Sequence, residues 1–144
     1  MNNYFSTHFQ ISLFSYYYIL HLQDVMKENQ IKITKHEIAS YMLEAFFHIK
    51  KKKLYSAELG LYANQIDELP KERKKNIRCS YTIETQNKIN AIERFFKYKY
   101  MLRYSAIFHY LAVHRTNELD NYIIQRCIEF TKKQNINYYK RSIS

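Results

Sequence analysis

Arg103 and His109 are the pair in this chain best suited to acid–base chemistry on a phosphodiester. A guanidinium fork matches phosphate oxygens, and an imidazole titrates near neutrality. The two groups suit phosphate pairing and proton transfer respectively. His8, His21, His36, His48 and His114 show no ligand spacing, and Cys79 and Cys127 form no CxxC or Cys/His set, so no metal and no cofactor is expected. The chain has no Gly-rich phosphate loop, no HExxH and no nucleophile elbow.

The second chemistry is charge neutralisation. Lys and Arg exceed Asp and Glu by 23 to 13, a net charge of +10, which favours nucleic acid, anionic lipid or acidic protein as partner. The cations are clustered: Lys50, Lys51, Lys52 and Lys53; then Lys71, Arg73, Lys74, Lys75 and Arg78; then Lys97, Lys99 and Arg103; and finally Lys140 and Arg141. In the third and fourth clusters aromatic residues alternate with the cations, as in FFKYKYMLRY and NYYKR. Rings stack on unpaired bases while cations neutralise phosphates. At helical spacing Phe96 and Tyr100 turn toward the core, so phosphate contact is the expected use of these segments.

These residues need elements to position them. One glycine, Gly60, and one proline, Pro70, leave little turn chemistry for hairpins. The expectation is an all-α fold, a compact bundle of about five or six helices with αα-hairpins, in one domain over 1–133 followed by a basic tail over 134–144. A first helix is expected from Ser6 or Thr7 to about Lys27, broad and apolar enough to sit at the centre of the bundle or to dock into another chain. Thr34 and Glu37 form a capping box for a second helix with Ile38, Met42, Ala45, Phe46 and Ile49 inward. A third covers 54–68, with Ala57, Leu59, Leu61, Tyr62 and Ile66 inward. The segment 71–78 reads as the longest exposed connection. A long helix over 82–114 breaks near Ser105, and Asn117 caps the last helix, which ends near Lys132.

Three local resemblances follow from these segments. The spacing of Arg103 and His109 resembles that of HEPN-type ribonucleases, which implies Arg103 on the scissile phosphate and His109 as proton carrier, usually across a dimer; Tyr104 stands where that family often has a polar residue. The stretch 41–70, with Ala45 and Ala57 at small-residue positions and Pro70 after them, is similar to a tetratricopeptide-type hairpin that lacks its glycine and its second copy. The stretch 32–46 resembles the first helix of a helix-turn-helix, continued without the turn.

The leading functional expectation is a non-enzymatic basic protein that binds RNA or a ribonucleoprotein through phosphate contacts. The alternative is an adaptor or accessory subunit of a larger protein or membrane assembly. It would dock by an uncharged aromatic N-terminal helix through Phe5, Phe9, Leu13, Tyr17 and Leu20, because no charged residue precedes Asp24. A HEPN-like, metal-independent ribonuclease stands third. The N-terminus lacks the basic start of a signal peptide and the scattered Arg of a transit peptide, and its polar residues make 4–22 a poor membrane span. Abundant Asn, Lys, Ile, Tyr and Phe point to an AT-rich gene of a parasite, endosymbiont, phage or organelle, and the two unpaired cysteines favour a reducing intracellular compartment.

Overall fold

The computed structural model describes residues 4–49, 55–92 and 101–143. The chain is mixed α/β, which corrects the all-α expectation: among the described residues there are six helices and one two-stranded antiparallel sheet. Strand β1 (Tyr4–Ser12) leads into helix α1 (Leu13–Glu28), followed by α2 (Lys35–Ile49) and α3 (Tyr55–Asp67). A short 3-10 turn at Lys71–Arg73 opens strand β2 (Lys74–Thr82), and α4 (Ile83–Ile92), α5 (Leu102–Val113) and α6 (Asn117–Ile143) complete the chain.

Scarce glycine excludes tight hairpins, but β1 and β2 need none. They pair with Tyr4 opposite Thr82 and Ser12 opposite Lys74, and three helices intervene in the chain. The sequence at 4–12 alternates Phe5, Thr7, Phe9 and Ile11 with Ser6, His8, Gln10 and Ser12, a period of two. Residues 76–82 do the same, with Ile77, Cys79 and Tyr81 as the inward set. Each strand runs directly into a helix that its own last residue caps. The Ser12 hydroxyl accepts from the Ser15 amide at 3.2 Å, and the Thr82 hydroxyl accepts from the Thr85 amide at 3.3 Å.

The centre of the molecule is α5, not the first helix. Nine of its residues, from Arg103 to Ala112, are buried, and it packs against β1, α1, α2 and α3. Aromatic rings join it to the ribbon: Phe9 stacks on Tyr104 at 5.1 Å and tilts against Phe108 at 5.4 Å, and the Tyr81 and Tyr104 hydroxyls share a hydrogen bond of 2.8 Å. Each such ring contributes about 1.5–3 kcal/mol by leaving water, with a further gain from ring–ring geometry. Ser105 lies inside α5 and does not cap it; its hydroxyl donates to the Gln10 carbonyl of β1.

Other boundaries move for local reasons. The capping box of α2 forms as expected: the Thr34 amide donates to Glu37 Oε2 at 3.1 Å, and the Glu37 amide donates to Thr34 Oγ1 at 3.2 Å. Helix α1 ends in a Schellman motif, in which the Ile31 amide reaches the Met26 carbonyl at 2.8 Å and Gln30 takes the left-handed φ of 62° usually given to glycine. Among the described residues helix α3 packs chiefly on α5 and little if at all on α2, so 41–70 does not pack as a hairpin on itself. Its inward face is Leu59, Ala63 and Ile66, whereas Ala57 and Leu61 are exposed. Thr116, not Asn117, caps α6 through the Leu119 amide, and the helix continues to Ile143 across the segment expected to fray.

Candidate nucleic-acid interface

Of the cations singled out by the sequence, five form one described cluster. Lys71 and Arg73 lie on the 3-10 turn, and Lys74, Lys75 and Arg78 on β2. This corrects the reading of 71–78 as a loop. All five are exposed except Lys74, which is half-buried. Among the described residues no carboxylate pairs with any of them. Lys50, Lys51, Lys52, Lys53, Lys97 and Lys99 lie outside the described residues, and Lys140 and Arg141 are on the last turns of α6, where side chains are not described.

The pleat separates the ribbon into two faces. Inward are Phe9, Ile11, Ile77, Cys79 and Tyr81, all buried. Outward, Arg78 stands opposite His8 and Asn76 opposite Gln10, and all four are exposed. Lys75 shares the inward register but lies at the ribbon's end, with its ammonium 6.0 Å from the Tyr16 ring. Both ribbon edges are covered: the Ser80 amide donates to Ser40 Oγ of α2 at 2.9 Å, and Ser105 of α5 takes the Gln10 carbonyl. What the ribbon offers to a partner is its outward face, with cations and amides that donate to phosphate and sugar oxygens.

Arg78 is held in place. Its Nε and Nη2 both donate to His36 Nδ1, at 3.2 and 2.9 Å. A guanidinium can only donate, so Nδ1 is an acceptor, and the neutral ring carries its proton on Nε2. That proton is donated to Ser80 Oγ at 2.8 Å. Burial first, and the Arg78 charge second, hold the His36 pKa below its ordinary value, which keeps this tautomer. Ser80 therefore receives a hydrogen bond from His36 and is not activated by it as a nucleophile. Arg78 Nη1 makes no hydrogen bond among the described residues.

Comparison with protein-family models, with curated proteins and with solved structures found no match. The chemistry of the chain therefore has to be read from its own geometry.

His36 also belongs to the wall of a groove of about 620 Å³ between the ribbon, α2 and α6. Tyr41 of α2 lies within it, tilted against Phe130 at 6.1 Å and covered on one side by the Arg126 guanidinium at 5.3 Å. Arg126 is bound to both oxygens of Glu44, at 3.0 and 3.2 Å, and to Glu129 at 2.7 Å, which pins α6 to α2. Burial raises the Tyr41 phenol to about 12, so it is neutral at any physiological pH. Arg115 is likewise committed, bidentate to Asp120 and over the Tyr18 ring at 5.0 Å.

Arg103 and His109 both lie on α5. Six positions along a helix turn through about 600°, so the two side chains leave the axis about 120° apart. Arg103 is only 2% exposed. His109 is half-buried between the Phe14 and Tyr62 rings, with Nδ1 3.0 Å from Ser12 Oγ, and burial lowers its pKa. Of the docking set, Phe9 is core; Leu13 and Leu20 are half-buried; Phe5 and Tyr17 are exposed, and Phe14 beside them is exposed as well.

Among the described residues no group of three or more His, Cys, Asp or Glu could hold a metal ion, and no helix is long and apolar enough to cross a membrane. Burial raises both thiols, Cys79 and Cys127, to about 12. Sequence reasoning missed His8, Gln10, His36 and the groove. The period of two at 4–12 carries the signal for the first two residues. The meeting of α2, β2 and α6 leaves no local trace.

Proposed function

We propose that this protein is a non-enzymatic RNA-binding protein that grips phosphates with the turn-and-strand segment 71–78. The observation that carries this reading is the contiguous row Lys71, Arg73, Lys74, Lys75 and Arg78 on an exposed ribbon, with no carboxylate pairing any of them among the described residues. None of these charges balances a carboxylate among the described residues, and each one added raises self-repulsion in a chain already at +10. Four or five phosphate contacts give a logarithmic salt slope of roughly −3 for single-stranded RNA. Affinity measured between low and moderate salt should show that slope. RNA affinity that is undetectable, or unchanged by salt, contradicts the proposal.

A second reading, a subunit that docks on a larger assembly, is favoured by Phe14 and Tyr17, which are 54% and 59% exposed on adjacent turns of α1. Deleting residues 1–23 cannot test it, because β1 is core. Phe14→Ser with Tyr17→Ser removes the apolar surface alone; recovery of the same native complex with this variant as with the unmodified chain contradicts docking.

A further inference from the structure

The basic ribbon and the 620 Å³ groove share a border. His36 lines the groove and at the same time accepts from Arg78, which stands outside it on the ribbon. A phosphate held by the open edge of Arg78 is thus one imidazole ring from the groove, and the group attached to that phosphate is the natural occupant.

The walls narrow the choice of occupant. Glu37, Glu44 and Glu129 outnumber Arg126 and Lys133 around the groove and disfavour an anion there. A cation is no better served, since Arg126 already occupies one face of Tyr41 and uses both Glu44 and Glu129, which leaves Glu37 on a wall shared with Lys133. A flat, neutral group with polar edges meets neither objection. Tyr41, Phe130 and the 64%-exposed Tyr4 supply aromatic surface. Ser80 Oγ, already accepting from His36, has its own proton to give to a carbonyl or ring nitrogen. The volume lies within the range of small-molecule sites. An unpaired nucleobase has this shape and this edge chemistry, and its sugar links it to a phosphate outside.

We infer that the groove between the ribbon, α2 and α6 receives one unpaired base of the RNA whose phosphates lie along 71–78. This rests on the phosphate-binding reading above and specifies it: the ligand is single-stranded at that point, and a continuous duplex cannot deliver a base to the groove.

The test is fluorescence titration with a single-stranded RNA carrying 2-aminopurine and with the same RNA annealed into a duplex. Three variants accompany it. Tyr4→Ala alters an exposed ring, Ser80→Ala removes the donor, and Tyr41→Leu removes the half-buried platform, with Tyr41→Phe as the conservative control and melting temperature as the check on folding. The expected result is single-strand affinity at least tenfold above duplex affinity and 2-aminopurine quenching on binding. Tyr4→Ala or Tyr41→Leu should lose about fivefold or more for the single strand, with the salt slope and the duplex affinity unchanged and Tyr41→Phe near the unmodified value. Equal affinity for both RNAs, or groove variants that bind like the unmodified chain while Arg78→Ala does not, overturns the groove assignment and leaves the phosphate surface standing. Absence of binding to either RNA overturns both.

Discussion

Strands β1 and β2 pair residue for residue over nine positions, bury the same alternating face and each run into a capped helix. Their chemistry differs. β1 has no Lys, Arg, Asp or Glu, whereas β2 and the turn before it carry Lys71, Arg73, Lys74, Lys75 and Arg78. The core takes the inward set from both strands, and of the outward set on β2 only Arg78 and Ser80, among the described residues, make hydrogen bonds to α2. The cations on β2 balance no carboxylate among the described residues, and apart from half-buried Lys74 they are exposed, with Arg78 anchored to His36 at the margin of α2. β1 serves the core, and β2 serves the core and presents a surface.

The largest test of that division is substitution on the two faces. Phe9→Ala on β1 opens a cavity beneath Tyr104 and Phe108 and should cost about 3–5 kcal/mol in chemical denaturation, whereas Arg78→Ala should stay within about 0.5 kcal/mol. Equal losses would make the cations structural and end the comparison.

A smaller effect sharpens the role of β1 at its last residue. Ser12 is 3% exposed, caps α1, and meets Ser15 Oγ and His109 Nδ1, each at 3.0 Å. Ser12→Ala removes the cap and strips the half-buried His109 imidazole of a partner, which should lower stability by about 1–2 kcal/mol. A change near zero would mean that water replaces the hydroxyl and the strand-to-helix junction is loose.

A third difference is read by pH. Burial lowers both His109, behind β1, and His36, beside β2, from the ordinary 6.5. As pH falls the unfolded chain protonates these rings first, so stability is fully present above about pH 6.5 and declines below it, until the folded rings protonate too. His109→Gln should flatten that decline. His36→Gln should flatten it as well and also release Arg78 from its anchor, weakening RNA binding. A denaturation midpoint constant from pH 7 to 5 contradicts the burial of both rings.

Much of this was legible in residue order, and the misreadings have physical causes. The capping box at Thr34 and Glu37 and the inward stripe Ile38, Met42, Ala45 and Phe46 are local patterns, and each appears where its spacing puts it. The sheet was missed because glycine and proline report only on tight connections, and this pairing closes across three helices. The alternation at 4–12 was present, but the run of apolar residues from Leu13 onward extended the helical period back over it. Cation clusters are visible in any sequence. That Arg78 is anchored by His36, and that a groove opens beside it, depends on contact between segments far apart in the chain, which no spacing encodes.

The central claim, that the cations of β2 meet phosphates, is tested most directly by the salt dependence of single-stranded RNA affinity for the unmodified chain and for Lys74→Ala/Lys75→Ala/Arg78→Ala. The account predicts a slope reduced by roughly 2, about 0.7 for each cation removed, with a melting temperature close to the unmodified value. A triple variant that keeps both slope and affinity would contradict it.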